Sequence, residues 1–158
     1  MQNINYSELE TQMSALLDGQ TSWYTNLSQF SAFINDHMED INWVGFYLVH
    51  TPGHLKLGPF QGRVACVDIP FGRGVCGTAA ETGQLQLVAD VHAFDGHIAC
   101  DARSNSEVVI PLVKDGVMLG VLDIDSPSFE RFSEADATGL QKLTDILIQQ
   151  TNWPPAFN

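Results

Sequence analysis

The run "SEVVIPLVKDGVMLGVLDID", Ser106 to Asp125, constrains the fold more than any other segment. Two stretches rich in Val, Ile and Leu, Ser106–Val113 and Val117–Asp125, flank Lys114, Asp115 and Gly116. β-Branched residues favour pleated, half-buried backbone, and Asp-Gly tolerates the positive φ of a tight hairpin turn. The segment therefore reads as two antiparallel strands. Side chains alternate between the faces of a strand, so Asp123 and Asp125 share one face. Two acids so placed repel each other unless a cation or a shared proton relieves them, or unless they sit at the solvated end of the strand. Glu107, taken alone, reads as a surface residue.

The other elements fit around this hairpin. "SELETQMSALLDG" (Ser7–Gly19) has a capping-box pattern at Ser7 and Glu10, apolar residues at helical spacing and a glycine stop. "WYTNLSQFSAFINDHM" (Trp23–Met38) repeats the helical period with Leu27, Phe30, Phe33, Ile34 and Met38. "NWVGFYLV" (Asn42–Val49) is a strand with Val44, Phe46 and Leu48 on one face and Trp43, Gly45 and Tyr47 on the other. Gly45 would leave space between the two aromatic rings. "HLKLGPF" (His54–Phe60) is its hairpin partner, and "RVACVDI" (Arg63–Ile69) reads as a further strand. Gly74–Gly83 is a short helix after a glycine-rich turn, Leu85–Ala89 a weak strand, and Asp90–Ser104 a long loop. A last helix begins at a capping box, Ser133 with Asp136, and carries Leu140, Leu143, Ile146 and Leu147. The tail "TNWPPAFN" should fray or dock loosely.

Adjacent strands outnumber strand–helix alternations, which predicts an α+β class with an antiparallel sheet. The terminal helices would cover one face. The short helix and the long loop would cover the other, with a pocket beneath them. The length of 158 residues fits one domain spanning 1–158. Seven Lys and Arg against nineteen Asp and Glu give a formal charge of −12, which disfavours nucleic acid and anionic membrane as partners. No apolar run is long enough to span a bilayer, and the start lacks the basic and apolar regions of a secretory signal, so a cytoplasmic location is expected.

The three cysteines, Cys66, Cys76 and Cys100, lie within one stretch of the chain. Cys66 in "VACVDI" reads as core. Cys76 follows "GRG" near a helix start, where the helix dipole would lower a thiol pKa. Cys100 sits in "HIACDARSNSE", whose Asp101, Arg103, Ser104 and Asn105 are not core companions, so a reactive loop thiol is the better reading. Spacings of ten and twenty-four residues do not match the tight cysteine pairs of structural zinc, and no metal is expected. His92 and His97 are read as loop hydrogen-bonders.

"NWVGFYLV", "LGPFQGRVACVDIPFGRGVCGTAAETG", "VADVHAFDGHIACDARSNSEVVIPL" and "GVLDIDSPSFERFSEAD" together resemble the free methionine-(R)-sulfoxide reductases, small enzymes built on a GAF-type domain. The resemblance runs from about Ser7 to Leu147. It implies a GAF-type sheet and thiol-dependent reduction of free methionine-(R)-sulfoxide to methionine, with no metal or bound organic cofactor. It implies that Cys100 is the nucleophile and passes through a sulfenic acid. Cys66 is then the main resolving thiol, forming a disulfide with Cys100, and Cys76 an auxiliary one. Thioredoxin would be the external reductant. The resemblance also places Glu107, Asp123 and Asp125 in the pocket. Asp125 and Glu107 would activate the sulfoxide oxygen and bind the ammonium, with Asp123 in support. Trp43 and Tyr47 would receive the S-methyl group. The "GRGVCG" turn is a candidate nest for the substrate carboxylate. The rival class is a ligand-sensing GAF module, for which a fused output domain would be expected. The oligomeric state stays open between monomer and homodimer.

Overall fold

The computed structural model describes residues 2–98 and 100–155. Its elements run α1 (Tyr6–Leu17), α2 (Trp23–His37), β1 (Trp43–Thr51), β2 (His54–Gly62), β3 (Asp68–Pro70), α3 (Gly74–Thr82), β4 (Gln86–Val88), β5 (Ser106–Lys114), β6 (Val117–Ser126) and α4 (Glu134–Gln150). A short 3₁₀ turn, Val91–Ala93, interrupts the expected long loop. The six strands form one sheet in the order β3-β2-β1-β6-β5-β4, and every neighbouring pair is antiparallel. The Asp115-Gly116 turn has positive φ at both residues, 51° and 78°, as a tight hairpin between β5 and β6 requires.

Strand alternation divides the core in two. Val44, Phe46 and Leu48 of β1, Val108, Ile110 and Leu112 of β5, and Leu122 and Ile124 of β6 meet the apolar stripes of α1, α2 and α4. Trp43 and Tyr47, Val109 and Val121 point the other way, toward α3 and Cys76. This is the predicted α+β arrangement, with the terminal helices on one face and the short helix on the other.

Three local expectations are corrected. The capping box of α1 is not Ser7 with Glu10, because the helix starts earlier, where the Asn5 side chain accepts from the Glu8 amide at 3.2 Å. That start brings Tyr6 into the helix, and its hydroxyl donates to Asp136 at 2.6 Å. The close approach requires Gly139, since a Cβ there would meet the Tyr6 ring. Asp136 also completes the predicted capping box with Ser133 and pairs with buried Arg131 at 3.5 Å.

The second correction is the strand expected over Arg63–Ile69, of which only Asp68–Pro70 pairs. That pairing is with the start of β2, Ile69 opposite Leu55, so the chain must first travel back along the length of β2. Residues 63–67 make that return as a loop; side chains from β1 take the carbonyls of Arg63 and Cys66, and the Leu57 amide of β2 takes that of Val67. The third is the tail. Asn152 bridges to Ser22, Thr151 is buried, and the Trp153 indole donates to the Ile148 carbonyl at 3.0 Å, so the chain is docked there. Residues 156–158 lie outside the described part.

Candidate active site

The sheet face covered by α3 carries an open cavity. Its floor is built by strand register. Glu107 on β5 stands directly opposite Asp125 on β6, and Asp125 in turn stands opposite Trp43 on β1. Asp123, two residues along the same face of β6, is the third acid. All three are removed from water, at 6%, 6% and 9% exposure for Glu107, Asp123 and Asp125. The reading of Glu107 as a surface residue is therefore wrong. Its neighbours in sequence gave no sign that α3 and the cysteine loops would cover that end of β5.

Burial disfavours the charged form of a carboxyl, and clustering disfavours it further. Burial first, then the Asp123 and Asp125 charges, push Glu107 well above the usual carboxylate range. Burial and the Asp123 charge do the same for Asp125, partly offset by a hydrogen bond from Glu107. Burial raises Asp123 to about 6, held back by hydrogen bonds with Glu107 and Cys76. Near neutral pH the cluster thus keeps protons that isolated acids would lose. One oxygen of Asp123, Oδ1, is buried without a hydrogen-bond partner.

The sequence placed Cys76 where a helix terminus should make it acidic, and it does lie in the first turn of α3. The opposite shift results. Burial, then Asp123, Glu107 and Asp125, push the Cys76 thiol well above its usual range. A partial helix charge acts only over the first turn and is outweighed by full burial against three acids. Cys76 Sγ lies 4.0 Å from Glu107 Oε1.

Cys66 and Cys100 are joined by a disulfide, with Cα atoms 5.5 Å apart, and Cys100 lines the cavity. Cys66 is therefore neither core nor strand. It rides on the return loop before β3, and Trp43 and Tyr47 hold that loop. The Trp43 indole N–H donates to the Arg63 carbonyl at 3.1 Å, and the Tyr47 hydroxyl donates to the Cys66 carbonyl at 2.9 Å. Both rings also line the cavity. Their centroids are 5.8 Å apart and nearly parallel. The space expected over Gly45 is filled, because the Phe60 side chain of β2 crosses it and stacks on Trp43 at 5.2 Å.

The Cys100 loop is anchored by residues the sequence did not single out. Asn42, just before β1, donates through Nδ2 to Asp101 at 3.2 Å and to Ser104 at 3.1 Å. Ser104, expected only as a polar neighbour of Cys100 in the loop, is buried. Arg103 grips Asp101 through two nitrogens, which together hold its carboxyl down at about 2. The signal for Asn42 was a polar residue at the mouth of an aromatic strand, which acquires meaning only once the loop is seen to cross it. His92 bonds Asn105 at 2.8 Å, in line with its expected role. His97 lines the cavity. Arg73 and Gly74, at the N-terminus of α3, border it as well, where the "GRGVCG" nest was expected.

Known proteins share this architecture. A family model described as GAF domain matches residues 19–147. Free methionine-R-sulfoxide reductase of Escherichia coli is 54% identical over 138 residues, covering 87% of this chain and 83% of that protein. The enzyme of the same name from Saccharomyces cerevisiae is 45% identical over 156 residues, 92% of this chain and 87% of its own. The structure of fRMsr of Staphylococcus aureus in complex with substrate superposes with a TM-score of 0.90 at 47% identity, covering 95% and 97% of the two chains. Among the described residues no helix is long and apolar enough to cross a membrane. The match extends over nearly the whole chain, and it places the protein in the GAF-domain family, among the free methionine-R-sulfoxide reductases.

Proposed function

We propose that the protein reduces free L-methionine-(R)-sulfoxide to L-methionine through Cys100, with Cys66 as resolving thiol and thioredoxin as the external reductant. The observation that carries this reading is the Cys66–Cys100 disulfide, with Cys100 lining a cavity floored by three buried acids. In the reduced enzyme the Cys100 thiolate attacks the sulfoxide sulfur. A bond forms between Cys100 Sγ and the methionine sulfur, and the oxygen, taking up two protons, leaves as water with the S–O electrons. Water then attacks Cys100 Sγ, the S–S bond breaks with its electrons going to the methionine sulfur, a proton is released, and Cys100 is left as a sulfenic acid. Cys66 then attacks that sulfenic sulfur, water leaves, and the disulfide forms. A dithiol partner reduces it by exchange.

The sulfoxide oxygen departs from sulfur only when protonated or strongly hydrogen-bonded. Glu107 and Asp125 suit that role, since their surroundings keep them protonated near neutral pH. Asp123, the least raised of the three and carrying an unpartnered oxygen, suits the substrate α-ammonium. This gives Asp123 a direct part where the resemblance suggested a supporting one. Trp43 and Tyr47 offer an apolar wall for the S-methyl group, and the first turn of α3 offers amides for the carboxylate. Cys76, buried and held as a thiol, is suited to a reserve role in recycling rather than to first attack. The reaction draws on no metal or organic cofactor in this scheme. The cytoplasm, where thioredoxin keeps thiols reduced, is the compartment it fits.

The test is turnover of free methionine sulfoxide with thioredoxin, and separately with dithiothreitol, against the N-acetyl derivative. Loss of the ammonium leaves a buried carboxylate without its counter-charge, so the derivative should lose roughly 3–5 kcal/mol in kcat/KM. Comparable kcat/KM for the two substrates would contradict the placement of the ammonium, and absence of turnover would favour a sensor module instead.

A further inference from the structure

We propose that Cys76, Glu107 and Asp123 form a site for a thiophilic divalent cation, zinc or cadmium, at the floor of the cavity. The sequence shows no metal motif because the three ligands come from three elements, α3, β5 and β6. In the fold, one donor atom from each lies within 4.8 Å of the other two. Cys76 Sγ and Glu107 Oε1 are 4.0 Å apart. Tetrahedral zinc with Zn–S of about 2.3 Å and Zn–O of about 2.1 Å would place sulfur and oxygen about 3.6 Å apart. The site thus needs to contract by only a few tenths of an ångström along that edge.

A second observation points to a missing ligand. Asp123 Oδ1 is buried and has no hydrogen-bond partner, in a residue only 6% exposed that lines the cavity. A buried acceptor left unpaired is costly, and a cation would satisfy it while relieving the mutual repulsion of the acids. One sulfur and two oxygens are a donor set for borderline-soft metals rather than for magnesium or calcium, which take oxygen alone. Binding is a simple exchange in which the metal forms bonds to Cys76 Sγ and to the two carboxylates, and the thiol proton together with the proton held on Glu107 is released to solvent. No redox step occurs, and the Cys66–Cys100 pair is not a ligand.

Occupation would take two of the three acids assigned above to the substrate, Glu107 and Asp123. The cation should therefore inhibit by excluding methionine sulfoxide, a consequence that rests on the proposed function, whereas the binding does not.

The disulfide form gives a clean test, because Cys76 is then the sole thiol in the chain. Cadmium added to the oxidised protein should produce the ultraviolet thiolate-to-metal charge-transfer band, saturating at one equivalent. The band should be absent in Cys76→Ser, and Asp123→Asn should weaken its midpoint by more than about tenfold. Glu107→Gln guards against a folding defect in either variant and should weaken it likewise. No band in the wild type, a band surviving in Cys76→Ser, or a midpoint unmoved in both carboxylate variants overturns the site. Methionine sulfoxide should displace the cadmium. A band that forms as expected and is indifferent to methionine sulfoxide upholds the metal site and overturns the substrate placement.

Discussion

The two faces of the sheet are built from the same strands and have opposite characters. On β1, Val44, Phe46 and Leu48 go to one side and Trp43 and Tyr47 to the other. On β6, Leu122 and Ile124 alternate with Asp123 and Asp125. The helix-covered face is filled by α1, α2 and α4 with aliphatic and phenyl side chains. The other face receives only α3 and two loops, and its buried groups include three carboxyls and a thiol. The first face is a well-packed core that offsets the cost of the second. Burying acids is unfavourable on its own, and they persist where surrounding structure is stable enough to hold them. Stability and chemistry are thus segregated by the two-residue period of a strand.

Substitutions on the two faces should separate these roles. The largest effect belongs to Cys100→Ser, which should abolish even a single turnover of methionine sulfoxide, because a serine hydroxyl is a far weaker nucleophile near neutral pH. Residual single-turnover methionine release in that variant would give the first attack to another thiol. Next comes Asp125→Asn, which keeps shape but removes a titratable proton. General acid catalysis typically contributes about 10²–10⁴-fold, and single-turnover reduction should slow within that range. Alkylation of Cys100 by a simple thiol reagent needs no oxygen departure and should change far less. An equal fall in both rates would make Asp125 a tuner of the thiolate.

On the opposite face, Phe46→Ala should cost about 3–5 kcal/mol of stability, read by denaturant unfolding. Phe46 is fully buried and packs edge-on against Phe30 at 5.5 Å. Its folded fraction should retain wild-type single-turnover rates. A large loss of rate at full folding would erase the division between faces.

The smallest effect is a pH dependence. The folded-state pKa of Glu107 is raised, so the native state holds a proton that the unfolded chain releases near pH 4. Stability contributed by that group is full below the unfolded pKa and lost as pH rises toward the folded one. Glu107→Gln removes that group's share of the pH dependence, while Asp123 and Asp125 remain in both proteins. The variant's melting temperature relative to wild type should therefore climb as pH rises from about 4, by about 2–4 °C for each kcal/mol lost by the wild type. A constant difference across that range would show that Glu107 titrates normally.

Much of this architecture was legible from local pattern. The period of two on β1 and β6, the Asp-Gly turn and the Ser133 capping box each depend on residues a few positions apart, and each stands as read. The acids were legible as a pair on one face of β6, but their burial was not, because the covering groups come from α3 and from loops distant in sequence. The same distance misled the reading of Cys76, whose helix position was right and whose surroundings were not. The stretch from 63 to 67 had strand composition but is a loop, with Trp43 and Tyr47 taking its Arg63 and Cys66 carbonyls. Those two residues were read as wall groups. Their polar ends also hold the Cys66 loop, a tether that no spacing in the sequence announces.

The central claim is that the open face carries out sulfur chemistry between Cys100 and Cys66, with Cys76 held back. The direct test is to mix fully reduced protein with one equivalent of methionine sulfoxide and no external reductant. Methionine released and disulfide formed are then counted in the same sample by mass spectrometry after alkylation of denatured protein. The account predicts one methionine per chain, a Cys66–Cys100 link and alkylated Cys76. Methionine release accompanied by a link through Cys76, with Cys66 alkylated, would contradict it.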